Sequence, residues 1–168
     1  NRTMHVWGGP QVFWRGPMHR AQGEAAAKRL AVSWYPDIPE AQEWKKYADD
    51  TYNDFWLFRD NPVNDSNYYM LCVMPPLVLS AELTGNREFF TDPEMRKIWD
   101  RFMYEVSPDG ANIPYGAHDG WNQSGGSRLY MLELAARYTR DGRYRFAAHR
   151  IFNYLRYQQE RYRQNHML

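Results

Sequence analysis

Apolar positions recur at helical spacing along most of the chain. Met95, Ile98, Trp99, Phe102 and Val106 follow the helical period. Asp92-Pro93-Glu94 ahead of them is a strong start signal, with a capping aspartate, a proline at the first helical position and an acid in the first turn. Ser107-Pro108-Asp109-Gly110 closes that helix. The same reading predicts an Ala-rich helix around Met18–Trp34 and a second opened by Pro39, with Ala41, Trp44, Ala48, Phe55 and Trp56 on its buried side. A third is capped by Asp65-Ser66, runs to about Thr84 and ends at Gly85. Two more cover roughly Ser127–Thr139 and Arg143–Glu160, parted by Asp141-Gly142. No alternating strand pattern stands out. The predicted class is all-α, with six helices in antiparallel hairpins.

The helices carry a repeat. Tyr-Met-Leu recurs at Tyr69 and Tyr130, 61 residues apart; Gly85 and Gly142 recur 57 apart, and Trp44 and Trp99 55 apart. The first copy carries the extra pair Pro75-Pro76. The predicted unit is therefore a helical hairpin, with short glycine turns at one end and long connections, Phe58–Ser66 and Ser107–Gly126, at the other. Stacked hairpins gather their long connections on one rim, where binding residues concentrate. The second connection contains Tyr115, His118, Asp119, Trp121 and Asn122 among glycines, far more chemistry than a helical hairpin needs to turn.

Composition narrows the function. The 168 residues suffice for one ordinary domain, and the formal charge of +1 announces no surface for a polyanion such as nucleic acid. The longest apolar run, Tyr68 to Leu79, is broken by its prolines and falls short of a membrane span. The one cysteine, Cys72, excludes an internal disulfide. His5, His19, His118, His149 and His166 lack metal-ligand spacing, and Gly125-Gly126 lacks the rest of a phosphate-binding loop, so neither metal nor cofactor is expected. Aromatic residues make up 17% of the chain. Most belong to a helical core, and a few on the rim could stack on sugar rings.

The stretches "DNPVNDSNYYM", "AELTGNREFFTDPEM", "VSPDGANIPYG" and "GWNQSGG" resemble segments of the α/α-toroid of polysaccharide lyases and related bacterial carbohydrate-active proteins. The resemblance covers roughly residues 18–160 and leaves 1–17 as an irregular segment and 161–168 as a polar tail. It implies a secreted or periplasmic protein acting on a polysaccharide or oligosaccharide. A complete toroid holds more helices than are read here. The chain, which starts at Asn1, is thus expected to be part of a larger domain and to lack its targeting segment.

Such lyases cleave uronate-containing chains by β-elimination, removing the proton α to a carboxylate. The step needs a donor or cation against that carboxylate, a base, and an acid for the leaving oxygen. The resemblance assigns Asn67 or Asn64 to the carboxylate, Tyr115 or Tyr68 as base and acid, and His118 as partner or alternative base. Trp121 would supply a sugar platform, with Asn122, Arg128 and His19 as further binding groups. A tyrosine near its usual pKa of about 10 is a poor base, so a neighbouring arginine or protonated histidine should favour its ionised form. Plainer roles compete: Asn64, Asp65 and Ser66 can cap a helix, one of Tyr68 and Tyr69 can fill a core, Trp121 can pin the loop, and His19 can belong to a docked terminus. Two other functions fit the same pattern. One is a glycoside hydrolase using Asp65 and Asp119 as its carboxylate pair; the other is a non-catalytic module binding glycan or protein.

Overall fold

The computed structural model describes residues 18–59, 67–111 and 125–166. Helix accounts for 83% of these residues and none is in a strand, so the protein is all-α. Seven helices occur among them: α1 Met18–Trp34, α2 Ala41–Leu57, α3 Asn67–Thr84, α4 Glu88–Thr91, α5 Pro93–Tyr104, α6 Gly125–Thr139 and α7 Gly142–His166. The short α4 escaped the sequence reading. The last helix runs six residues past Glu160, through most of the segment expected to be a polar tail. The chain divides into two compact units, Asn1–Asp65 with Tyr69–Phe89, and Ser66–Tyr68 with Phe90–Leu168.

In the first unit α1 lies antiparallel against α2. Gln22, early in α1, donates through Nε2 to the Thr51 carbonyl late in α2 at 2.8 Å, and Arg29 pairs with Asp49 at 2.9 Å. Ala21, Ala25, Ala26, Ala41 and Ala48 are buried, and these small side chains let the two backbones approach. Trp44 and Trp56, expected inside, are only half-buried. They flank the buried positions of α2, and Trp56 stacks at 6.3 Å from Tyr52 beneath the Arg59 guanidinium. The α2 start is weaker than Pro39 suggested, because Glu40 precedes the helix without a side-chain cap.

Helix α3 continues through Pro75 and Pro76, which cannot donate to the carbonyls of Leu71 and Cys72. Close burial along one face offsets that loss: Met70, Val73, Met74, Leu77, Val78 and Ala81, at helical spacing, are all at 0–1% exposure.

The second unit is built on α5, α6 and α7. Asp92 caps α5 as its sequence signal required, accepting from the Glu94 and Met95 amides at 2.9 and 3.3 Å, a contribution of about 1 kcal/mol. Met95, Ile98, Trp99 and Phe102 then face inward. Trp99 donates to the Phe90 carbonyl, and Phe90 stacks on Tyr138 with ring centres 4.5 Å apart. Helices α6 and α7 are antiparallel, since Glu133 late in α6 meets Arg145 early in α7 while Gly125 packs on Ile151 and Leu155. Helix α5 runs alongside α7 in the same direction: Asp100 accepts from Tyr144, and the Pro108 carbonyl accepts from Arg150.

The repeat takes a different alignment from the one the glycines suggest. Gly85 is left-handed, with φ +66°, directly after α3. The residue in that state after α6 is Arg140, φ 57°, while Gly142 opens the next helix. Thr84-Gly85-Asn86 therefore matches Thr139-Arg140-Asp141, 55 residues on. Both threonines donate to the carbonyl four residues back, and Asn86 and Asp141 both accept from an amide in the following helix. The buried Phe89 and Tyr144 keep the same offset. Tyr69 and Tyr130 do not share it.

Candidate functional site

The chemistry-bearing surface of the described residues lies in the second unit, between α5 and α7. An open groove of about 530 Å³ is lined by Met103, Tyr104 and Val106 from the end of α5 and by Gly142, Arg143, Phe146, Ala147 and Arg150 from α7. Phe146 and Arg150 lie one helical turn apart on α7, so they share its groove-facing side. Tyr104 and Phe146 are 70% and 65% exposed, as Trp34, Tyr35 and Tyr162 are elsewhere, but these two rings lie together on one groove. The lining holds two arginines and no acid.

The two arginines are held differently. Arg143 grips Asp141 through Nε, 3.1 Å from each carboxylate oxygen, and through NH2 at 2.7 Å. That pairing lowers the Asp141 pKa and raises that of Arg143. Arg150 instead donates to backbone, through Nε to the Pro108 carbonyl at 3.1 Å and through NH2 to the Ser107 carbonyl. Carbonyls orient a guanidinium without cancelling its charge. The guanidinium carbon of Arg150 also sits 5.7 Å from the Phe146 ring centre, joining cation and aromatic in one surface.

The turn that Arg150 grips fixes the start of the connection to α6. The Ser107 amide and hydroxyl both donate to the Ala111 carbonyl at 2.9 Å, and Gly110 adopts φ +95°. A Cβ on Gly110 would lie 2.1 Å from the Arg150 carbonyl oxygen, so only glycine lets this turn reach α7. At the other end Gly125 packs on Leu155, one turn further along the same helix. The described ends of the connection that carries Tyr115, His118, Trp121 and Asn122 thus both pack on α7.

Those four residues and Asn64 lie outside the described residues, as do the capping residues Asp65 and Ser66 and the hydrolase candidate Asp119. Asn67 and Tyr68 occupy the first turn of α3, their side chains likewise outside the description. His19 is half-buried in the first turn of α1. Arg128, expected as a binding group, has no exposed surface. Its NH1 donates to the Glu105 carbonyl at 2.9 Å and its NH2 meets the Glu105 carboxylate at 3.1 Å. Burial lowers its pKa to about 10 against the opposing pull of Glu105. Arg128 thus joins the start of α6 to the end of α5.

Tyr104, Phe146, Arg143 and Arg150 were not among the residues the sequence singled out. A signal was there: α7 holds six arginines against one acid, Glu160. Averaging charge over the whole chain hid it. Among the described residues no group of His, Cys, Asp or Glu could hold a metal ion, and no helix is long and apolar enough to cross a membrane. No protein-family model, curated protein or solved structure matches the chain.

Proposed function

We propose that this protein acts on an acidic, uronate-containing polysaccharide, cleaving it by β-elimination or forming part of a secreted enzyme that does. One observation carries the reading. The connection bearing Tyr115, His118, Trp121 and Asn122 is anchored at both ends on α7, by Gly110 under the Arg150 carbonyl and by Gly125 against Leu155. A chain segment so rich in proton-transfer and stacking groups, fixed at both ends to rigid helix, has the build of a catalytic loop. Asn67 or Asn64 would neutralise the substrate carboxylate. Tyr115 or Tyr68 would move the proton, assisted by His118. Trp121 would hold a sugar ring.

A second reading is favoured by the groove between α5 and α7, whose exposed rings and arginines suit binding rather than proton transfer. On that reading the chain is a non-catalytic glycan-binding module. Incubation with polyuronates separates the two. A lyase generates the absorbance of an unsaturated uronate at the new chain end; a module retains the polymer and yields no such product. New reducing ends without that absorbance would point to a hydrolase and overturn the elimination chemistry.

A further inference from the structure

We infer that the groove between α5 and α7 is a second binding site, for anionic sugar units, set beside the Ser107–Ala111 turn. The inference rests on the acidic-polysaccharide reading for the identity of its ligand. Its location rests on geometry alone. Tyr104 and Phe146 are largely exposed and line the groove together with the apolar Met103, Val106 and Ala147. An apolar lining with two exposed rings suits a flat ligand with an apolar face, such as a pyranose.

Charge decides which pyranose. No carboxylate lines the groove; Arg143 shares its charge with Asp141 at 2.7 Å and with Asp100 at 3.9 Å, so the cation left to a ligand is chiefly Arg150, oriented by two carbonyls and felt by Asp109. A neutral sugar would leave this field unused, whereas a uronate carboxylate would meet it. The volume of about 530 Å³ lies within the range of small-ligand sites. The groove reaches Arg150, which holds the Ser107–Ala111 turn.

The test uses the full 168-residue chain and titration calorimetry with oligogalacturonate, a neutral galactan oligomer and single-stranded DNA. Tyr104→Ala and Phe146→Ala remove exposed rings and should leave the fold intact, checked by circular dichroism. Each should weaken oligogalacturonate binding about three- to tenfold, the range for one aromatic contact. Arg143→Gln should weaken it at low salt and barely at high salt. The neutral oligomer should bind poorly to every form. If wild type binds oligogalacturonate, the groove variants bind equally well and only Trp121→Ala is weakened, the groove proposal fails while the function stands. If DNA binds through Tyr104 and Phe146 and oligogalacturonate does not, the ligand class is overturned together with the function. Failure of wild type to bind either polyanion overturns both.

Discussion

The Arg128 guanidinium, wholly buried, holds Glu105 at two points, its carboxylate at 3.1 Å and its backbone carbonyl at 2.9 Å. These residues flank the second long connection, so the pair fixes where that connection begins and ends. Arg101 also reaches the Glu105 carboxylate at 2.8 Å, making a triad in which one acid serves two cations. Removing the acid would leave a charged arginine inside the fold, with its Nε already lacking a partner among the described residues.

Glu105→Ala should therefore destabilise the protein by about 3 kcal/mol, as for one partner lost from a buried pair. Replacing both partners, Glu105→Leu with Arg128→Met, should restore most of that loss, because the wholly buried charge is gone and Arg101, its side chain 22% exposed, keeps its contact with water. Urea denaturation of the three proteins checks this. A single variant within about 0.5 kcal/mol of wild type would show that solvent reaches Arg128 and that the pair fixes nothing.

The turns after α3 and α6 make an opposite pair of predictions. Gly85 occupies its left-handed state with nothing within 4 Å of where a Cβ would sit, so Gly85→Ala should cost about 1 kcal/mol from backbone strain alone. Arg140 endures the same strain, and Arg140→Gly should stabilise by a similar amount. Thermal unfolding of both variants provides the comparison. Equal signs for the two changes would break the equivalence between Thr84-Gly85-Asn86 and Thr139-Arg140-Asp141.

Helix class, most helix ends and the Asp92 cap were legible because local chemistry fixes them. Proline at the first position, a capping carboxylate and inward residues at helical spacing act within one or two turns. The repeat was legible only in outline. Glycine marked one left-handed turn, but an arginine carries the other, a substitution no glycine search can find. Trp44 and Trp56 were placed too deep because period alone does not say how wide the buried side of a helix is. Arg128 read as a binding group because a charge beside a loop suggests a ligand. Its partner Glu105, 23 residues away, becomes visible only when α5 and α6 pack. The groove failed to register for the same reason, since its lining comes from α5 and α7 together.

Asp141 sets a pH dependence. The Arg143 side chain and amide hold its pKa below the ordinary 3.8. The unfolded chain therefore takes up this proton more readily than the folded one. The stabilisation is present above the unfolded value and is lost as pH falls through the folded value. Between about pH 5 and pH 3 wild type should lose more stability than Asp141→Asn, which has no carboxylate to titrate. Asp109 and Glu24, lowered by Ser107 and Lys28 respectively, act in the same direction and keep some slope in the variant. Chemical denaturation across this range measures both slopes. A variant slope as steep as that of wild type would remove Asp141 from the acid response.

His118 and Trp121 share one anchored connection yet should fail differently when altered. An imidazole that moves a proton, or holds a tyrosine ionised, acts on the barrier, so His118→Ala should lower kcat on a polyuronate by about 10²-fold or more and change KM little. An indole that stacks on a sugar moves no proton. Trp121→Ala should therefore raise KM and spare most of kcat. Both residues lie in sequence between Gly110 and Gly125, and circular dichroism verifies that each variant is folded. Steady-state kinetics on the active polyuronate, followed by the absorbance of the unsaturated product, separates the two effects. Wild-type turnover in His118→Ala would remove the histidine from the mechanism and leave Tyr115 or Tyr68 to act without it. A loss of kcat in Trp121→Ala matching that of the histidine variant would instead mean that the loop acts as a single positioned unit.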